Sequence, residues 1–160
     1  MKVGIGFDAH RFEAGRPLVL GGVTIPHKAG LGGHSDADVL LHAIADAVLG
    51  ALALGDIGKY FPPSNADYKD MSSLLILKKA VVLATGKGYA VINVDSVVIA
   101  EEPKIAPYAD EMRAKIAEVV GAPVENVSVK GTTTEGMGFA GRGEGIAAQA
   151  VVTLERAVVS

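Results

Sequence analysis

Apolar positions along this chain recur with two different periods, and the switches between them mark out the elements. Val3 to Phe12 and Tyr89 to Ala100 alternate as strands do, the latter rising to Val97, Val98 and Ile99, and Asn126 to Thr134 reads the same way. Gly145 to Ala157 reads as a last strand, although its alanines leave a helix open. Pro17 to Pro26, with Leu18, Val19, Leu20, Val23 and Ile25 around Gly21 and Gly22, predicts one more strand, joined to the first as a hairpin through a turn at Gly15. Helical spacing appears at Leu40, Leu41, Ile44, Val48 and Leu52, predicting a helix from about Asp36 to Leu54. On its other face Asp38, His42 and Asp46 recur every fourth residue, so one face packs and the other is free for chemistry. Ser35 followed three residues on by Asp38 resembles a capping box, with Asp36 adding charge to the first turn. Further helices are predicted over Ser72 to Thr85, stopped by Gly86 and Gly88, and over Tyr108 to Val120, ending at Gly121. Asp56 to Asp70 reads as a loop that stays mobile until a ligand arrives. This order implies the α+β class, a two-layer sandwich with a mixed β-sheet packed against helices.

Composition narrows the picture. A chain of 160 residues fits one domain, 1–160. Hydrophobic residues make up 49% and charged residues only 21%, with a mean hydropathy of +0.34, an apolar excess that points to a homo-oligomer. Asp46, Lys78 and Lys79 interrupt the longest apolar runs before any approaches the ~18 residues of a membrane span, and Met1 to Val3 lacks signal-peptide character. A cytoplasmic protein with no membrane partner is expected. With no cysteine, any metal must rest on imidazole and carboxylate. A net charge of -3, scattered lysines and arginines, and four Tyr and four Phe with no Trp argue against a nucleic-acid partner.

Asp8 and His10 sit two residues apart on a predicted strand, so both leave the same face. Such a pair alone is more often an ordinary hydrogen-bonded couple. With His42 it becomes a set of one carboxylate and two imidazoles with a position left open, which suits a catalytic zinc-type ion. Thr132, Thr133, Thr134 and Glu135 then lead into a run carrying Gly136, Gly138, Gly141, Gly143 and Gly145. Threonine hydroxyls and close backbone amides suit phosphate, and a carboxylate among phosphates suits a hard cation such as Mg2+. His27 reads as a solvated turn residue, Asp46 as a partner of a metal-binding side chain or a satisfied polar group instead of a ligand, Asp36 and Asp38 as helix-start residues, and Gly136 and Gly143 as tight turns.

Taken in order, Gly6 to His10, His34 to Asp38, Gly55 to Gly58, Pro103-Lys104, Thr132 to Glu135, Gly138-Phe139 and Gly141 to Gly145 resemble the 2-C-methyl-D-erythritol 2,4-cyclodiphosphate synthase family nearly end to end. The resemblance implies an enzyme of non-mevalonate isoprenoid biosynthesis acting on 4-diphosphocytidyl-2-C-methyl-D-erythritol 2-phosphate. The substrate's 2-phosphate attacks its β-phosphate and CMP leaves. Asp8, His10 and His42 match ligands of a Zn2+ or similar ion, and Glu135 matches the ligand of a Mg2+ or Mn2+. Asp8, Ala9, His10, His34 and Ser35 match positions against the phosphates, with the last two at the helix start, and His34 and Thr133 match transition-state stabilisers. Asp56, Ile57 and Gly58 match positions at the erythritol hydroxyls, with Phe61, Pro62, Pro63, Ser64 and Asn65 closing over them. Ala100, Glu101, Glu102, Pro103, Lys104, Ile105 and Ala106 match a cytidine pocket, with Thr132, Thr133 and Thr134 beside it. Phe139 and Arg142 match a central cavity between subunits, since the family is homotrimeric with active sites between subunits. Departures are Pro63-Ser64-Asn65 where an Asp-rich pattern is common, Glu101-Glu102, and Gly131 in place of a small alanine. A metal-dependent phosphodiesterase and a non-catalytic nucleotide-binding trimer are the rival functions.

Overall fold

The computed structural model describes residues 1–157; residues 158–160, the end of the single domain expected from the sequence, lie outside the described residues. The strands are β1 (Lys2–Glu13), β2 (Leu18–Leu20), β3 (Val23–Ile25), β4 (Gly30–Leu31), β5 (Tyr89–Ile99), β6 (Val127–Thr132) and β7 (Gly145–Arg156). The helices are α1 (Val39–Ala51), α2 (Ile57–Tyr60), α3 (Ser73–Gly86), α4 (Ala109–Val120) and α5 (Gly138–Gly141), with single 3-10 turns at Ala66–Tyr68, Ala106–Tyr108 and Val124–Asn126. Five strands form one sheet in the order β4-β1-β7-β5-β6, with β5 and β6 parallel and the other pairs antiparallel. α1 lies on β1 and β7, α3 on α1 and β5, and α4 on β6 and α3, giving the α+β two-layer arrangement with a mixed sheet. No helix among the described residues is long and apolar enough to cross a membrane.

Two glycines decide how close α1 comes to the sheet. Gly4 and Gly6 lie on the helix-facing side of β1, and a Cβ at either would stand 1.9 Å from a carbonyl oxygen of α1, that of Ala47 and Ala43 respectively. Only hydrogen in place of a side chain lets the helix backbone rest on the strand backbone. α1 is consequently buried on nearly every side, and its His42 side is as enclosed as its leucine side. The expected division into a packing face and a free face does not hold.

Several expected boundaries move. The 17–26 segment is two strands: Gly21 (φ 58) and Gly22 (φ 76) make a two-residue turn between Leu20 and Val23, and β2 and β3 form their own small sheet. β1 pairs with β4 and β7 instead of with this segment, and its ladder with β7 runs from Lys2–Leu154 to Arg11–Gly145, a length the three-residue strands β2 and β3 do not offer. α1 starts at Val39 and not at Asp36. Its cap is Asp38, whose Oδ1 accepts from Leu41 N at 3.1 Å and from Gly21 N at 2.9 Å while Oδ2 accepts from Gly22 N at 2.7 Å. The Ser35–Asp38 capping box is therefore absent, and Asp36 stands outside the first turn. The expected open loop over 56–70 contains α2, capped by Asp56, and a 3-10 turn capped by Asn65. Gly136 (φ 76) and Gly143 (φ 69) do sit in tight turns, and the stretch between them closes into α5. His27 is no solvated turn residue, since its ring stacks on Phe12 at 5.3 Å.

The long helices α1, α3 and α4 lie on one face of the sheet, and only the short α5 approaches the other. Val3, Ile5 and Phe7, the side chains of β1 that alternate away from the helices, are 59%, 63% and 57% exposed, with Val151 of β7 at 40%.

Candidate functional site

β1 delivers Asp8 and His10 to the same face two residues beyond Gly6, and α1, seated on that glycine, delivers His42 one residue before Ala43. His10 Nε2 lies 2.9 Å from Asp8 Oδ2, His42 Nδ1 lies 3.0 Å from the same oxygen, and the two nitrogens are 3.2 Å apart. These three ligand-type atoms could hold a metal ion. Donors about 2.0 Å from a tetrahedral ion stand roughly 3.3 Å from one another, so the triangle matches one face of such a site with small adjustment. Neutral imidazoles and one carboxylate, with no thiolate, suit zinc or a similar borderline ion. His42 is 6% exposed while Asp8 and His10 are half-buried, so the open position faces the cavity and not the core.

The electrostatics match that role. Burial alone would raise the Asp8 carboxyl, but hydrogen bonds and charge from His10 and His42 outweigh it and hold Asp8 well below the usual carboxylate range. Burial alone would lower His10, and its hydrogen bond and charge interaction with Asp8, helped by the Gly32 backbone, raise it instead. A divalent cation replaces those protons directly.

Around the triangle lies a cavity of about 220 Å³ lined by Asp8, His10, His34, Ser35, His42, Ile57, Gly58, Phe61 and Pro63, all expected from the sequence, together with Tyr68 and Ile76, which were not. His34 is fixed by Nε2 donating to Asn65 O at 2.9 Å, and Phe61 packs edge-on against Tyr68. The segment over 61–68 is thus anchored to the cavity wall. Asp46, one turn beyond His42, accepts from Ile57 N at 2.8 Å and places α2 at the rim; burial pushes its carboxyl up. Ser35 departs from expectation. It lies four residues before α1 and is buried, its Oγ 3.2 Å from His42 Nε2 and accepting from Ala37 N, while the helix amides are occupied by Asp38. Asp56, Pro62, Ser64 and Asn65 are near this cavity in sequence but do not line it.

A second cavity of about 220 Å³ gathers Ala100, Glu101, Pro103, Lys104, Ile105, Ala106, Thr132 and Thr133, with Gly131 added. It shares no residue with the first. Thr132 is level with Ile99, which pairs with Ala147, which pairs with Ala9, so three strand spacings separate the two sites, about 14 Å. Thr134 and Glu135 flank this second cavity. Glu101 Oε1 accepts from Thr134 N at 3.1 Å and Gly136 N at 3.3 Å, clamping the turn in which Glu135 takes a left-handed φ of 53°.

The remaining expected residues lie elsewhere. Ala9 borders a recess with Phe139 and Glu144. Glu102 and Arg142 line a cavity with Phe12, His27 and Lys28, and Arg142 is paired with Glu144 at 2.9 Å. Phe139 also lines an apolar recess with Phe7, Ile99 and Met137 on the uncovered sheet face. Tyr68 and Ile76 carried no recognisable signal, being ordinary apolar positions until the fold turns them inward.

Residues 1–155 match the YgbB family. The curated 2-C-methyl-D-erythritol 2,4-cyclodiphosphate synthase of Syntrophomonas wolfei is 60% identical over 157 residues, covering 98% of this chain and 100% of that protein. That of Alkaliphilus metalliredigens is 60% identical over 154 residues, covering 96% of this chain and 97% of the other. Among solved structures, the bifunctional IspDF of Campylobacter jejuni is similar with a TM-score of 0.93 and 41% identity, covering 97% of this chain but only 42% of that longer one. A 2C-methyl-D-erythritol-2,4-cyclodiphosphate synthase in its CDP-bound form is similar with a TM-score of 0.88 and 32% identity, covering 96% and 100% of the two chains.

Proposed function

This chain belongs to the YgbB family, and from that membership we infer that it converts 4-diphosphocytidyl-2-C-methyl-D-erythritol 2-phosphate to 2-C-methyl-D-erythritol 2,4-cyclodiphosphate and CMP in the cytoplasm, a lyase step of non-mevalonate isoprenoid biosynthesis. The observation that carries the reading is the Asp8–His10–His42 triangle in a cavity bordered by His34, Gly58 and Phe61. The 2-phosphate is already ionised and needs no base. Its difficulty is repulsion, since two charges about 4 Å apart oppose each other by about 4 kcal/mol at an effective dielectric near 20. Asp8, His10 and His42 would hold a zinc-type ion and Glu135 a Mg2+ or Mn2+, and bound there the ions would supply positive charge against this repulsion and against the charge on the leaving CMP.

The chain's own residues do the positioning. His34 holds phosphate oxygens beside the triangle, Ser35 offers its backbone at the same cavity wall because its hydroxyl is taken by His42 and Ala37, and His34 and Thr133 stabilise the developing charge. Asp56 to Gly58 orient the erythritol hydroxyls, with Phe61 to Asn65 covering them against water. Ala100 to Ala106, with Thr132 to Glu135, hold the cytidine end. One chain presents these groups in two separate cavities, and β1 leaves Val3, Ile5 and Phe7 uncovered. Both facts support a homotrimer whose copies cover that apolar face, bring a cytidine pocket of one subunit to the metal-side cavity of the next, and enclose Phe139 and Arg142 centrally. The whole of 1–160 then acts as one catalytic domain.

Phosphorus NMR of purified protein with substrate and Mg2+ tests the reading. CMP and a cyclic diphosphate are expected. Linear phosphates carrying solvent oxygen would establish the phosphodiesterase instead, and tight CMP binding with no product would establish a binding trimer.

A further inference from the structure

Behind His42, on the side away from Asp8, runs a chain of polar contacts that the proposed reaction does not use. His42 Nε2 lies 2.8 Å from Ser73 Oγ, and Ser73 Oγ in turn hydrogen-bonds Asp36 Oδ1 closely. Ser73 is fully buried at the first position of α3. Asp36 receives every other protein contact as an acceptor: Oδ1 from Asp38 N at 3.2 Å and Oδ2 from Ser73 N at 3.1 Å. Asp36 N also donates to Met71 O at 3.0 Å, so the carboxylate is locked between the approach to α1 and the start of α3.

Direction follows from the chemistry of the groups. A carboxylate only accepts, so the Ser73 hydroxyl must spend its single proton on Asp36. Having spent it, Ser73 Oγ offers His42 only a lone pair. In the neutral ring Nε2 must then carry the proton and donate, which leaves the lone pair on Nδ1; a second proton on Nδ1, the one that bonds Asp8, is what a cation would displace. Nδ1 is the nitrogen that faces Asp8 Oδ2 and His10 Nε2. Ser35 Oγ at 3.2 Å is a second acceptor for the same Nε2 proton, its own lone pairs being shared with Ala37 N.

We propose that Asp36 and Ser73 are positioning residues that fix the His42 tautomer, proton on Nε2 and lone pair on Nδ1, and so present a preformed ligand to the ion at Asp8, His10 and His42. The proposal rests on the metal reading given above. A carboxylate reaching a metal-bound histidine through one intervening hydroxyl is a longer version of the direct carboxylate–histidine contact that orients ligands in many metal sites. It has work to do here, because in the metal-free protein Asp8 beside Nδ1 attracts a proton to that nitrogen and favours the tautomer that cannot bind. Ser73 also ties the ligand to the α1–α3 packing, since moving α3 breaks the chain.

Asp36→Asn separates direction from packing. It is isosteric, but its amide can donate to Ser73 Oγ, releasing the serine proton towards Nε2 and reversing the chain. Ser73→Ala removes the acceptor and leaves only Ser35. In metal-free wild type, at a pH well above the imidazole range, nitrogen-15 spectra are expected to show the His42 proton on Nε2; in both variants a population protonated at Nδ1 should appear. Zn2+ affinity, read by competition with a chromophoric chelator, is expected to fall about ten- to a hundredfold, with melting of the metal-free protein reporting separately on folding. A wild-type His42 protonated at Nδ1, or two folded variants with wild-type Zn2+ affinity, overturns the proposal. Failure of wild type itself to bind Zn2+ sinks the metal reading while the tautomer measurement still stands or falls by itself, and needs no variant to fold.

Discussion

Replacing Gly6 by alanine tests the link between packing and chemistry at its narrowest point. The added Cβ would lie 1.9 Å from Ala43 O, 2.9 Å from Ala43 C and 2.9 Å from Ala47 N, all backbone atoms that cannot rotate aside. Restoring ordinary contact requires α1 to retreat by roughly 1.5 Å, and close-packed interiors resist such shifts. Overpacking of this kind costs about 1–3 kcal/mol, which for a chain of this length lowers the melting temperature by roughly 3–10 °C. The retreat is felt next door at His42. Its contacts of 3.0 Å to Asp8 and 3.2 Å to His10 cross the gap between helix and strand, whereas the 2.9 Å contact of His10 with Asp8 lies within β1. Displacing one of three ligands by an ångström should reduce Zn2+ affinity at least about tenfold and turnover by about a hundredfold. Chelator competition and thermal melting of the metal-free protein measure both arms. Gly50→Ala is the control, because a Cβ there meets only Ile5 O at an ordinary 3.6 Å, and alanine in a helix is expected to be neutral or to stabilise by up to about 1 kcal/mol. Wild-type metal affinity and an unchanged melt in Gly6→Ala would refute the claim that this glycine sets the metal geometry.

Three further outcomes are expected. His42→Ala should abolish the first metal and nearly all turnover, while Glu135→Gln should retain that metal in elemental analysis and weaken the Mg2+ dependence of the rate; equal metal loss in both would contradict two separate sites. Phe7→Asp, on the uncovered sheet face, should turn the assembly into folded monomers by light scattering and remove activity with it, and an active trimer would show that this face is not the interface. Asp38 supplies a pH signature: complete burial, reinforced by the charge of Asp36, pushes its carboxyl from 3.8 up to about 6 against the lowering effect of three backbone N–H bonds. A carboxyl raised on folding stabilises fully below its unfolded value, and the contribution is lost as pH rises through the folded value. The metal-free protein should lose ~3 kcal/mol from this group between about pH 4 and pH 6. Denaturant melts of Asp38→Asn should lack that fall, and curves that stay parallel to wild type would remove the assignment.

Most strand and helix identities are legible in the sequence because they rest on local periodicity: β1, β5 and β7 alternate, α3 begins after the Ser72 cap, and α4 ends at Gly121. The β2–β3 hairpin was missed even though Gly21-Gly22 between apolar pairs is the local sign of a tight turn, because the apolar run around it reads as continuous. The start of α1 was misplaced because Ser35, Asp36 and Asp38 are all good capping types, and sequence spacing does not say which finds amides. Only the neighbouring Gly21 and Gly22, brought in from another element, select Asp38 as the cap.

Alone, the sequence determined the candidate ligand types, the α+β class and the family, since residue chemistry and motif order survive without coordinates. Tertiary structure decided that His42 meets Asp8 and His10 within 3.2 Å, that the two cavities lie apart on one chain, and that Ser73, distant in sequence from both, links Asp36 to His42. The physical reason is that these relations cross between elements: they depend on how closely α1 packs on β1, which Gly4 and Gly6 permit, and on how α3 packs on α1, and local patterns encode neither.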